Sequence, residues 1–486
     1  MLTDEGKSGM ERRHFLAGGA TVAAGAALTA GPFQGVLAHA AQTGDGGAAP
    51  RGRGYGPLRP VPDVRDGEVR LHLPRGFRYR SFNPAGSKLA DGTVTPGKHD
   101  GMAAFRGRRG SVILVRNHEV NGPVGAFGDP AKAYDPAAGG GTCTLHVTPY
   151  GELLDSRVSL SGTQMNCSGG PMPWGSWVTC EETVNGPDVG NDFSGGDNSK
   201  LKEKHGYLFE VPTGGRVAPR PIRNAGRFAH EAAVCDPRTG AIYLTEDNFN
   251  FPSGFYRYLP PKNPLRTGRL LDGGRLQMLA VKGRPGADLS LGQPRNAVYE
   301  TTWVDIDDPD PTFTGKPGND EAIQAVGKQG RAGGGALFSR LEGAVYDHGV
   351  VYFVSTQGGA PVTQPPPDGF GDGRGQIWAY DTRSGRLRLV VESPGATWLD
   401  LPDNITHSRR GTLVLCEDGD GDNLLRGLTL RGNLFDFGRL EPVAADPGAE
   451  FAGSTFAPDG RTLFVNIQSK AGMTFAIWGP WHHGPF

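Results

Sequence analysis

CDPRTGAIYL, residues 235–244, reads as a hairpin: Asp236 and Gly240 direct a polar turn, and Ile242-Tyr243-Leu244 follows as a strand. YDTRSGRLRLV at 380–390 and APDGRTLFV at 457–465 share the pattern. Further short strand-like runs lie at 111–115, 144–147, 206–211, 241–245, 350–354, 376–380, 412–415 and 462–465. Hairpins repeated this loosely argue for a β-propeller, in which each sheet buries both faces against its neighbours. A β-sandwich is the alternative use of the same signals.

Composition agrees with an all-β class. The 486 residues include 77 glycines and 39 prolines, and long helical periodicity is nearly absent. A formal net charge of -1 supplies no overall basic field for nucleic acid or an anionic membrane, so any partner must be chosen by a local site.

At the N-terminus, Glu11-Arg12-Arg13-His14-Phe15-Leu16 precedes an Ala/Gly-rich stretch through Ala30 and then Ala38-His39-Ala40. Residues 1–40 therefore read as a twin-arginine signal, which makes the twin-arginine translocation machinery a partner and the mature protein periplasmic or extracellular. The stretch is too short and glycine-rich to read as a membrane anchor. This route carries folded proteins, often already loaded with a metal or cofactor, so a metal site is expected. Residues 41–60 read as a flexible lead-in and 61–486 as a single, monomeric β-propeller domain. The segment from Pro285 to Arg340 fits the strand pattern poorly and is expected to be a long excursion near the site.

Residues able to carry chemistry cluster at the ends of the strand-like runs: Asn117-His118-Glu119, Cys167, Glu181-Glu182, His230-Glu231, Glu246-Asp247, Arg340 with Glu342, Asp403-Asn404, and the acidic run from Glu417 to Asp422. In a propeller, successive sheets bring such positions to one axis. Carboxylates gathered there repel one another unless cations hold them ionised, and oxygen ligands favour calcium or magnesium. Glu231, in the apolar stretch GRFAHEAAV, needs a partner and reads as a ligand, whereas Glu119, Glu246 and Asp247 read as solvated turn residues. His230 reads equally as core or ligand. DGDGDN at 418–423 lacks the spacing of a helical calcium loop. Trp174 and Trp177 read as core. The five cysteines are odd in number and lack CxxC spacing, so at least one is unpaired within the chain and a structural zinc site is not expected.

The ordered set NCSGGPMPWGSWVTCEE (166–182), GRFAHEA (226–232), SRLEGAVYD (339–347), LPDNIT (401–406) and LVLCEDG (413–419), behind a twin-arginine signal, resembles the PhoX family of secreted alkaline phosphatases from roughly Asn117 to Asp459. The resemblance implies a six-bladed propeller with long irregular loops around an axial cluster of Fe3+ and Ca2+, and hydrolysis of small-molecule phosphate monoesters at alkaline pH. Carried over by motif, Cys167 is implied as an iron thiolate ligand. Either Glu181 or Glu182, with Glu182 preferred, joins Glu231, Glu342, Asp403 and Glu417 as carboxylate ligands, and Arg340 holds the substrate phosphate. Two other readings stand beside this one. The first is a calcium-dependent lactonase-like hydrolase using Asn117 and Asn404; the second is a non-catalytic propeller stiffened by calcium.

Overall fold

The computed structural model describes residues 54–486, except 216–217, 263–264, 363–367, 420, 430 and 443–447. The expected signal, most of the expected lead-in and Asp420 lie outside the described residues. The described residues fall within one unit, Pro32–Phe486.

All eight strand-like runs are strands, and the sheets they build are antiparallel. Six first strands, His99–Arg106, Asn166–Met172, His230–Cys235, Leu341–Asp347, Pro402–His407 and Glu450–Phe456, each pack against the next. The sixth packs back on the first, closing a ring. Each then runs outward by hairpins into its own sheet. Two of these sheets are joined into one of nine strands by Val298–Asp305, which pairs with Arg275–Val281 on one side and Arg386–Glu392 on the other.

The apolar core is divided in the same way, with a separate cluster between each pair of neighbouring sheets. This is why the strands read as continuous apolar runs. Val350–Ser355, for example, is buried at every position because it is covered on both faces. A two-sheet sandwich would bury one face of each strand and expose the other. The architecture is the propeller-like one that the hairpins predict.

The ring is closed by distant parts of the chain. Arg78–Phe82 pairs with Met473–Trp478, so an N-terminal strand completes the sheet made by the last three strands. Residues 54–60 correct the expectation of a flexible lead-in running to residue 60. Tyr55 lies edge-on to Phe77 at 5.0 Å between ring centroids, donates to the Trp481 carbonyl at 2.9 Å and accepts from the Phe486 N–H at 3.0 Å. The excursion from Pro285 to Arg340 is also less irregular than expected: besides the joining strand it holds helices α1 (Asn319–Ala322) and α2 (Ala325–Ala332).

All six first strands share one distortion. In each, two residues oppose a single residue of the second strand, which is a β-bulge at the same level of the ring. The first bulged residues are Asp100, Cys167, Glu231, Glu342, Asp403 and Gly453. A bulge bends the strand and re-aims a side chain, and here it does so six times around one axis. Backbones approach closely enough there to exclude side chains. A Cβ on Gly170 would lie 1.6 Å from the Ala233 carbonyl, and Gly453, with φ +56°, lies where a Cβ would be 2.3 Å from the Asp100 carbonyl.

Candidate metal centre and its cleft

The bulges deliver side chains able to ligate a metal, and register adds a second set. In four of the six sheets, the second strand places an acidic residue one position beyond the partner of the residue before the bulge: Glu119, Glu182, Asp247 and Asp418. Ligand atoms of Cys167, Glu182 and Glu231 lie within 4.8 Å of one another, as do those of Glu231, Glu342 and Asp403. Glu231 belongs to both triads. Its Oε2 is buried and has no hydrogen-bond partner among the described residues.

The electrostatics are those of a site built for cations. Burial, reinforced by neighbouring carboxylates, holds Glu182, Glu231 and Glu342 well above the usual carboxylate range. The same causes, partly offset by Arg340, push Asp403 up to about 8. Glu119 is raised to about 7 by burial, against the pull of Lys98. Burial and then Asp100, Glu231, Glu182 and Glu119 push the Cys167 thiol far up, so it becomes a thiolate only when a cation sits beside it. Asp100 and Glu450 extend the cluster. Burial raises both, and Gln468 Nε2 donates to Asp100 Oδ2 and Glu119 Oε2, both at 2.7 Å.

Two of the expected ligands lie elsewhere. Glu181 pairs in register with Asn166, and its carboxylate accepts from the N–H groups of Gln164, Gly206 and Tyr207 while contacting His205 Nδ1 at 2.6 Å. Glu182, the next residue, faces the centre. The same alternation displaces Glu417, which pairs with Pro402 and accepts from Arg426 Nε and the Asp400 N–H, both at 2.9 Å. Asp418 is therefore the counterpart of Glu182. Reading Glu119, Glu246 and Asp247 as solvated turn residues is also corrected. Glu119 and Asp247 belong to the cluster, and the fully buried Glu246 accepts from the Gly254 N–H and Tyr256 hydroxyl, both at 2.8 Å. His230 is core: its Nε2 contacts the Gly226 carbonyl at 3.0 Å and its ring lies on Phe228.

The remaining residues sort by contact. All five cysteines are free and buried, but Cys143, Cys180, Cys235 and Cys416 pack in the apolar clusters. Trp177 is core, and Trp174 packs, partly buried, against the neighbouring apolar cluster. Asn117 donates to the carbonyls of Cys167 and Ser168 and accepts from Trp177 and Thr179, so it clamps the thiol-bearing bulge. Asn404 accepts from the Ser454 N–H and hydroxyl, both at 2.9 Å. Both asparagines are thus structural in their contacts, which removes the ligands of the lactonase-like reading.

Arg340 precedes its bulge with φ 38°, a left-handed conformation that a non-glycine residue adopts at a cost of about 1–3 kcal/mol. That twist sends the guanidinium over the acidic cluster. Nε and Nη2 donate to Asp247 at 3.2 and 2.7 Å, Nη2 also reaches Glu342 at 3.1 Å, and the Phe249 ring centroid is 4.8 Å from Cζ. Nη1 has no acceptor among the described residues. A cleft of ≈ 270 Å³ opens on this group, with Glu182, Asp247 and Arg340 at its charged end.

Behind Glu181 lies a buried ionic triad. His205 bridges Glu181 and Asp135, and although burial opposes its charge, the two carboxylates raise it to about 9. Because the folded value lies above the unfolded one, its stabilisation is complete below about pH 6.5 and is lost as pH rises through about 9. Its size is on the order of 3 kcal/mol. His205→Gln is therefore expected to lower the urea midpoint strongly at pH 7 and less at pH 10. An equal gap at both pH values would remove the charge from the argument.

The sequence model of the family described as Alkaline phosphatase PhoX matches residues 53–471. A solved structure of Pseudomonas fluorescens PhoX in complex with vanadate, a transition state analogue, aligns with TM-score 0.62 and 17% identity over 88% of this chain and 98% of that one. A gluconolactonase from Xanthomonas campestris aligns with TM-score 0.41 and 14% identity, covering 89% and 99% of the two chains. A catalytically inactive virginiamycin B lyase from Staphylococcus aureus with quinupristin gives 0.38 and 13%, covering 83% and 99%. No curated protein matches the chain in sequence.

Proposed function

Because the chain belongs to the PhoX family of alkaline phosphatases, and so is a metal-dependent phosphatase, we propose that its axial cluster holds ferric iron and calcium. The protein would hydrolyse small phosphate monoesters after export by the twin-arginine route. The observation that carries this reading is the pair of ligand triads sharing Glu231, one of which includes a thiol. Soft sulfur beside carboxylate oxygen suits iron, and the all-oxygen triad of Glu231, Glu342 and Asp403 suits a hard cation such as calcium. The unpartnered Glu231 Oε2 fits such an occupant, since a buried anionic oxygen without a donor is otherwise costly. Glu119, Asp100, Asp418 and Glu450 would complete the oxygen ligands.

Bound cations supply charge neutralisation and an activated oxygen nucleophile for phosphoryl transfer. The chain's own residues do the rest. Arg340 lines the cleft; its Nη1 is without an acceptor among the described residues and would hold a phosphate oxygen there, while Asp247 and Glu342 fix the guanidinium plane. Only one edge of that fork is free, so the contact is narrower than a full two-pronged clamp. Asn117 locks the Cys167 bulge. Export is supported by the sequence of residues 1–40, and among the described residues no helix is long and apolar enough to cross a membrane.

The purified protein is expected to hydrolyse an aryl phosphate at alkaline pH and to lose that activity on prolonged treatment with a strong calcium chelator, with recovery on adding calcium. Undiminished turnover after exhaustive chelation, with calcium gone by elemental analysis, would rule out the calcium part of the centre.

A further inference from the structure

We propose that the cleft beside Arg340 is a leaving-group subsite selecting phosphate monoesters of neutral, flat aromatic alcohols. This rests on the phosphatase reading and adds the substrate class to it. Beyond its charged end the cleft is walled by Phe193, Phe249, Phe251 and Ile323. Phe193 is 61% exposed and Phe249 46%, so two large aromatic faces open into one cleft next to a cluster of charge. A single exposed apolar side chain is ordinary, but two that share a cavity with a cationic anchor form a surface for an apolar group.

The segments that carry both rings are tied down. Phe193 rides on a loop tied down by the nearly buried Asp192, whose Oδ1 accepts from the Ser194 N–H at 2.9 Å, the Ser194 hydroxyl at 2.8 Å and the Gly196 N–H at 2.6 Å. Its Oδ2 accepts from Asn121 at 2.8 Å. Phe249 lies under the Arg340 guanidinium, and its carbonyl accepts from the Phe370 N–H at 2.6 Å. The phosphate anchor and the first aromatic surface are therefore in contact, and a substrate held through phosphate at Arg340 projects its ester group along the rings. A planar leaving group gains offset or edge-on stacking that an aliphatic one lacks. Charge narrows the class further. Glu182 and Asp247 are matched by Arg340 and the proposed cations, whereas the exposed Asp320, on α1, lines the cleft with no cationic partner among the described residues, so an anionic leaving group is repelled there.

The test compares kcat/KM for 2-naphthyl phosphate and glycerol 2-phosphate in the metal-loaded wild type and in Phe193→Ala. The ratio of the naphthyl to the glyceryl value is expected to fall about tenfold in the variant, mainly through KM, and to be restored in Phe193→Tyr, which keeps a flat ring. Phe193 is largely exposed, so neither change threatens folding. In Asp320→Asn, the ratio for 3-carboxyphenyl phosphate over phenyl phosphate is expected to rise a few-fold. Wild-type enzyme that hydrolyses both substrates, with a ratio Phe193→Ala leaves unmoved, overturns the subsite alone. Wild-type enzyme that hydrolyses neither overturns the phosphatase reading and the subsite with it.

Discussion

Cys167→Ser is expected to yield a folded but colourless protein that has lost its iron and, with it, on the order of a thousandfold in turnover. A ferric thiolate absorbs visible light by sulfur-to-iron charge transfer, and neither calcium nor an ordinary side chain does. Serine is close to cysteine in size, so the bulge and its Asn117 clamp should survive. The change replaces a soft sulfur that a metal can deprotonate with a hydroxyl that stays neutral. Calcium should be retained, because the oxygen triad is untouched. The visible spectrum, elemental analysis and aryl phosphate kinetics read the result together. A wild-type protein that is fully active, colourless and iron-free would reduce Cys167 to a buried core thiol like the other four.

The second large effect belongs to Glu231→Gln. Glutamine keeps the shape and one acceptor oxygen but removes the charge shared by the two triads. Both ion positions should weaken together, so iron and calcium should be lost in parallel and activity should fall to background. Glu182→Gln and Asp403→Asn each touch one triad and should each deplete mainly one metal. If Glu231→Gln lost no more metal than either of these, Glu231 would be a ligand of one position and not the bridge between two.

These residues also mark where sequence reasoning reached and where it stopped. The hairpin turns are local: Asp236 accepts from the Arg238 N–H two residues on, and Asp381 and Asp459 do the same, so short-range chemistry made the sheets readable. Cys167, Glu231, Glu342 and Asp403 were legible from motif resemblance, and all four fall at first bulge positions. The choice between Glu181 and Glu182, and between Glu417 and Asp418, depends on register, which flips a side chain to the opposite face with each residue. Motif spacing carries no register. The bulges are equally silent, because each is defined by pairing and by a neighbouring strand some fifty to a hundred residues away.

A usable signal was nonetheless present. His118-Glu119, Glu181-Glu182, Glu246-Asp247 and Glu417-Asp418 all end second strands, and in each the latter residue faces the axis. Aligning those four pairs would have found Asp247 and Asp418 and promoted Glu119. The Glu246 and Glu417 side chains, by contrast, turn to a tyrosine hydroxyl and an arginine on neighbouring strands.

The pairing of Arg78–Phe82 with Met473–Trp478 has a consequence for how the protein is made. While the chain is still emerging from the ribosome, the early strand has no mate, and the strands that supply Glu342, Asp403 and Glu450 reach the solvent late. No nascent intermediate can close the ring. Closure must therefore wait until Met473–Trp478 has left the ribosome, and a chain cut short between Asp403 and that strand would carry every residue of both triads on a ring left open.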